Sequence, residues 1–165
     1  MKKQIIESIE NSINLKKQIL CDKTILNKIE KSVNKSINSI KKGGKLIFFG
    51  NGGSASDALH LSTEIVVRFK KNRPALPALT LCSDITLLTA MSNDYGFNDI
   101  FSRQIEALGN KKDIVFAIST SGKSQNIING IKAAKKKRYI CYSSIRKGGG
   151  RCKKIRRFKY YYSFR

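Results

Sequence analysis

The chain has 165 residues, enough for one domain with a sizeable core, and no apolar run near the roughly 20 residues that a bilayer span needs. Of its 33 Lys and Arg, 13 lie in residues 135–165 beside no acid, so the net +22 falls to +9 (20 basic, 11 acidic) over residues 1–134. A charge so concentrated argues against a nucleic-acid surface on the folded part, and the N-terminal stretch "MKKQIIESIENS" lacks the apolar segment of an export signal. Cys21, Cys82, Cys141 and Cys152 show no CxxC spacing, so they read as reduced thiols of a cytoplasmic protein.

Ile6, Ile9 and Ile13, then Ile25, Ile29, Val33, Ile37 and Ile40, recur at steps of three and four. That spacing predicts two helices that break near "CDKT" and stop at "KKGG". "KLIFFG" (45–50) reads as a buried strand, and "SASDALHLSTEIVVRF" resumes helical character behind Ser54, Ser56 and Asp57 as possible caps. "ALTLC" (78–82) predicts a second strand, with Ser83 or Asp84 capping the next helix. "SNDYGFNDIF" (92–101) reads as a joint between two helices, and Asp99 as the cap of the helix that Gly109 stops. "DIVFAIS" (113–119) is a third strand, followed by "TSGKS" and a helix from Gln125 to about Ala134. Strands alternating with helices predict a parallel sheet covered on both faces.

Two strands end in small polar loops that open helices, "GNGGSAS" and "STSGKS". Backbone N–H groups at a helix start favour an anion, and two such loops on one sheet edge point to a phosphorylated ligand. A plainer reading stands beside it, since any strand-to-helix turn favours Gly and Ser. Gly50, Gly52 and Ala55 fit the loose dinucleotide pattern, but no acid closes a second strand about 20 residues on. "SGKS" is no P-loop tail, because the first glycine would fall on Ala117 inside a strand. His60 and Glu64 share a helix face, where imidazole and carboxylate suit a divalent metal; from spacing alone a solvated surface pair is the favoured reading. Asn93 and Asp94 have no capping duty and are free to bond sugar hydroxyls.

Together "GNGGSASDALHLSTE", "SNDYGFNDIFSRQIEALG" and "STSGKSQNII" resemble the phosphoheptose isomerase (sedoheptulose-7-phosphate isomerase) family of the sugar-isomerase (SIS) fold, from the N-terminal helices to about Lys137. The resemblance implies a flavodoxin-like three-layer α/β/α sandwich with a parallel sheet. It divides the chain into an N-terminal helical pair (1–44), a phosphosugar-binding core (45–137) and an atypical basic tail (138–165). It implies a homotetramer with sites at subunit interfaces, and no membrane partner. Ser119, Thr120, Ser121 and Ser124 would hold the sugar phosphate, and Asn51, Gly52, Gly53, Asn93 and Asp94 would line the sugar. His60 and Glu64 match zinc ligands, one ion per subunit, and Glu64 also matches the substrate-binding acid/base. The implied reaction takes sedoheptulose 7-phosphate to D-glycero-D-manno-heptose 7-phosphate through an enediol, for lipopolysaccharide or capsule. A non-catalytic phosphosugar-binding or regulatory protein of the same fold is the alternative.

The family continues with further strands and a helix carrying a glutamine and a histidine that complete the metal site. Here the chain reads "RYICYSSIRKGGGRCKKIRRFKYYYSFR", with no second histidine anywhere. A natural basic tail is the plain reading; a frameshift at the Lys135–Lys137 codons is the preferred one. Suitable codons for Arg138–Tyr142, read one nucleotide later, give Asp-Ile-Phe-Val-Ile, an apolar strand after an acid.

Overall fold

The computed structural model describes residues 1–136 and the backbone of residues 140–145 and 161–162. The N-terminal repeat forms two helices, α1 (Lys2–Cys21) and α2 (Lys23–Lys41). Asp22 makes the break: its carboxylate accepts from the N–H groups of Thr24 and Ile25 at 2.8 and 3.0 Å, starting a new helix at once. The Ser39 hydroxyl donates to the Lys112 carbonyl at 2.6 Å and fixes α2 to the body. α1 buries none of its residues; Ile5, Ile9 and Ile13 stand exposed along it.

The sheet contains β1 (Leu46–Gly50), β2 (Ala78–Thr80), β3 (Ile114–Ser119), β4 (Ile140–Ile145) and β5 (Tyr161–Tyr162) in the order β2-β1-β3-β4-β5. Every pairing is parallel. Alternate residues serve opposite faces. Ile47, Phe49, Val115 and Ala117 pack into one core with α4 (Ile85–Asp94), α5 (Ile100–Leu108) and α6 (Gln125–Lys136). Leu46, Phe48, Ile114 and Phe116 face α2 and α3 (Gly53–Val66). Ring contacts anchor both layers, Phe49 on Phe101 at 4.8 Å and Phe48 on Phe116 at 5.0 Å. This is the expected flavodoxin-like sandwich, in that fold's strand order.

The amino ends of β1 and β3 are tied by Asp113, which is buried. Its carboxylate accepts from the Lys45 ammonium at 2.7 Å, the Lys45 N–H at 2.9 Å and the Asn110 N–H at 2.7 Å. A buried carboxylate persists only with such partners.

Three local expectations change. Ser92–Asp94 are the last residues of α4, so Asn93 and Asp94 lie on a helix end and not in a joint. Asp99 stands at the start of α5 without a side-chain cap; its carboxylate instead accepts from Ser102 Oγ and Asn129 Nδ2, both at 3.1 Å. The sheet also runs on past β3, because Ile140–Ile145 pairs with that strand from Ile114 to Ser119. A run of Ile, Cys and Tyr satisfies the open backbone edge of β3 whatever codons wrote it. The rest of the tail, and with it the frameshift reading, lies outside the described residues.

Candidate functional site

Gly50 of β1 stands beside Ile118 of β3, so the loops that leave these two strands are neighbours on the carboxyl edge. Because β1 lies between β2 and β3, this is also the point where the strand order reverses and ligands gather. The turn after β1 needs its glycines. A Cβ on Gly50 would lie 2.6 Å from the Ser54 carbonyl oxygen, and Gly52 takes a φ of +54°. Gly52 and Gly53 are exposed and leave the backbone open to a ligand.

The second loop is held by its own hydroxyls. Ser119, buried at the end of β3, accepts from the Gly122 N–H at 3.0 Å, and Ser121 accepts from the Lys123 N–H at 3.2 Å. The Ser124 carbonyl accepts from the Ile128 N–H at 3.1 Å, so α6 opens directly from the loop. Thr120 and Ser121 are exposed, and Lys123 adds a positive charge at the rim. A helix start, four hydroxyls and an ammonium together suit a dianionic phosphate. The two loops meet through Asn51 and Asn126, whose amides bond each other twice at 2.9 Å.

His60 and Glu64 sit farther along α3. His60 Nε2 lies 3.7 Å from Glu64 Oε1, with side-chain exposures of 71% and 27%. Glu64 Oε2 is buried and has no hydrogen-bond partner among the described residues. The Arg73 guanidinium donates to the Glu64 and Ile65 carbonyls, both at 2.8 Å, and holds the end of the helix. Glu64 lies eleven residues beyond Gly53, about 16 Å along the helix axis. A helix following a parallel strand runs back across the sheet, so the pair is displaced toward the opposite edge from the loops.

Zinc takes four ligands, at least three of them from protein as a rule. His60 and Glu64 supply two, and no group of three His, Cys, Asp or Glu exists among the described residues. The donor set does not make a zinc site by itself. Asn93 Nδ2 donates to Asp94 Oδ1 at 2.9 Å, and the described hydrogen bonds join neither residue to the loops or to Glu64. Cys82 donates to the Gly50 carbonyl at 3.3 Å, and burial pushes its thiol up, which leaves it protonated and structural.

Residues 9–143 match the SIS domain family. The phosphoheptose isomerase of Burkholderia pseudomallei is 42% identical over 92% of this chain and 77% of its own length. The chain belongs to the phosphoheptose isomerase family. A second member, from Sulfurimonas denitrificans, is 44% identical over 94% of this chain and 80% of its own. The solved phosphoheptose isomerase of Francisella tularensis superposes with a TM-score of 0.87 at 31% identity, covering 93% of this chain and 79% of that one. A match over 92% of 165 residues runs past Lys137 wherever it starts, so the family likeness extends into the tail.

Asn126 and Arg73 escaped the sequence reading. For Asn126 the signal was a polar residue set against Ile127, Ile128 and Ile131 on a helix start. Arg73, nine residues beyond Glu64 in a basic stretch, gave none.

Proposed function

We propose that the chain converts sedoheptulose 7-phosphate to D-glycero-D-manno-heptose 7-phosphate. The observation that carries this reading is Glu64 Oε2, a buried carboxylate oxygen with no hydrogen-bond partner among the described residues. Leaving such an acceptor unsatisfied costs stability, and its lone pair is free of any bond that a proton transfer would first have to break.

In the proposed reaction the Ser119–Ser124 loop and the start of α6 hold the phosphate. Asn51, Gly52 and Gly53 line the sugar, with Asn93 and Asp94 assigned to its hydroxyls. The Glu64 carboxylate takes a proton from C1 of the ketose. The C1–H electron pair forms the C1–C2 double bond, the C2 carbonyl oxygen gains a proton, and an enediol results. Loss of the proton on the C1 hydroxyl and delivery of one to C2 then complete the aldose. No step is routed through zinc; as a cofactor it would need donors beyond His60 and Glu64.

The two ends of this site lie far apart in one copy of the chain. A seven-carbon sugar phosphate measures about 10 Å end to end from ordinary bond lengths. Along α3, Glu64 stands about 16 Å from Gly53 at the sugar end of the loops. A second copy that brings its own Glu64 to the loop closes the gap, and the exposed Ile5, Ile9 and Ile13 of α1 offer the apolar face for such assembly. We assign the chain to a homo-oligomer, a tetramer by the family resemblance.

The experiment is turnover of sedoheptulose 7-phosphate by the chain and by Glu64→Gln, followed by proton exchange at C1. Glutamine cannot take the proton, so turnover should fall by about 10²–10⁴-fold or more with the fold kept. Turnover unchanged in Glu64→Gln would reduce Glu64 to a helix-surface residue. Binding of the sugar phosphate without turnover in the parent chain would favour the non-catalytic member of the fold.

A further inference from the structure

Asn126 occupies the second position of α6, 2% exposed, where the helix is otherwise lined by Ile127, Ile128 and Ile131. A polar side chain at such a place is costly unless its bonds are made. Asn126 makes three. Its Oδ1 accepts from the Ile127 N–H at 2.9 Å and from Asn51 Nδ2 at 2.9 Å, and its Nδ2 donates to Asn51 Oδ1 at 2.9 Å. The backbone donor of Ile127 decides which end of the Asn126 amide is oxygen. The reciprocal pair then decides the same for Asn51. One N–H and one carbonyl lone pair of Asn51 remain outside the pair, on opposite flanks of the amide and each in a fixed place.

We propose that Asn126 is a positioning residue: it locks the amide of Asn51 in one orientation and joins the sugar loop to the phosphate loop. The inference rests on the phosphosugar reading given above. With the amide locked, its free N–H serves a sugar oxygen on one flank and its free lone pair a hydroxyl proton on the other, whereas a flipping amide would interchange donor and acceptor. Asn126 lies two residues past Ser124, so the element that carries the phosphate hydroxyls also sets the sugar-facing amide. One turn on, Asn129 Nδ2 donates to the Asn98 carbonyl and Asp99 Oδ1, both at 3.1 Å, and its Oδ1 accepts from Gln125 Nε2 at 2.7 Å. The polar residues of α6 thus tie the phosphate loop to both neighbouring segments.

The test measures binding of sedoheptulose 7-phosphate and of inorganic phosphate to the full chain, Asn126→Leu and Asn126→Asp by calorimetry. Asn126→Leu keeps the volume and removes the pair. Its affinity for the sugar phosphate should fall about tenfold while that for inorganic phosphate stays within about twofold. Asn126→Asp carries its own rescue. The protonated carboxyl of the introduced side chain donates and accepts as the amide did, and the ionised one only accepts. The loss relative to the parent chain should be small near about pH 5.5 and approach that of Asn126→Leu near about pH 8. A merely structural residue would lower the melting temperature and leave the ratio of the two affinities alone. A parent chain that binds both ligands equally would overturn the functional reading and this inference with it. A parent that prefers the sugar phosphate, with Asn126→Leu preferring it as strongly, overturns this inference only. Failure of both variants to fold would overturn it too, because Asn126 would then be a core residue first.

Discussion

The carboxyl-edge loops and the far turns of α3 serve one proposed site, yet the chain closes the first and leaves the second open. Around the loops, Ser119, Ser121, Asn51 and Asn126 are engaged with each other or with backbone. At Glu64 an oxygen is buried and has no hydrogen-bond partner among the described residues, and His60 is largely exposed. The difference follows the two tasks. Recognition of a phosphate gains from donors already fixed in place, because nothing then has to be ordered on binding. Proton transfer needs a lone pair that no other group has taken. The same contrast separates the helices: α6 buries most of one face in the core, whereas no residue of α1 is fully buried within its own chain.

The largest effect in the loop half should come from Ser119→Ala with Ser121→Ala. Each hydroxyl removes a hydrogen bond to a charged phosphate, worth roughly 1.5–3 kcal/mol, so the pair should weaken sugar-phosphate binding by about 10²-fold or more. Ser119 also holds the Gly122 N–H, so part of the loss will be loop order. Unchanged affinity by calorimetry would remove the phosphate from this loop.

The open half is probed next by Ile9→Lys with Ile13→Lys on α1. Both residues are exposed in one copy and lie on the same helix face, so two charges there cost nothing unless another copy covers them. The variant should run as a smaller species in sedimentation and lose turnover roughly tenfold as the copies separate. Its affinity for inorganic phosphate should hold. A variant of unchanged mass and turnover would leave the site to a single copy, and the distance along α3 would need another explanation.

How far the sequence reaches is visible in the same two halves. Periodicity in Ile6–Ile40 placed both helices, and Asp22, a strong capping residue inside "CDKT", explains the break between them. Continuous apolar runs placed β1 and β3 because both faces of a parallel sheet are buried. Period alone could not say that α1 faces outward, since an apolar stripe looks the same whichever surface covers it. The Ser119–Ser124 loop was legible because Gly, Ser and Thr cluster locally. Asn126 was not, because its partner Asn51 is 75 residues away and only the parallel pairing of β1 with β3 brings them together. Asp99 looked like a cap for the opposite reason: its local position is right, and Asn129, thirty residues on, competes for its carboxylate.

The smallest effect expected is at Arg73, and it separates the halves most cleanly. Its guanidinium spans the carbonyls of Glu64 and Ile65 at the end of α3, where unbonded C=O groups carry the negative end of the helix dipole. Arg73→Ala removes this bracket and should cost about 1 kcal/mol, seen as a fall of about 2–4 °C in melting temperature. Because the bracket sits on the residue that carries the base, turnover should fall more than sugar-phosphate binding. Both carbonyls accept from one nitrogen, Nη2, so Arg73→Lys, whose ammonium keeps the charge and also offers several donors at one nitrogen, should recover most of the loss. Phosphate affinity at the Ser119–Ser124 loop should not change in either variant. If it fell in step with turnover, Arg73 would be supporting the whole sandwich, and the loop end would not be the self-contained half that its hydrogen bonds describe.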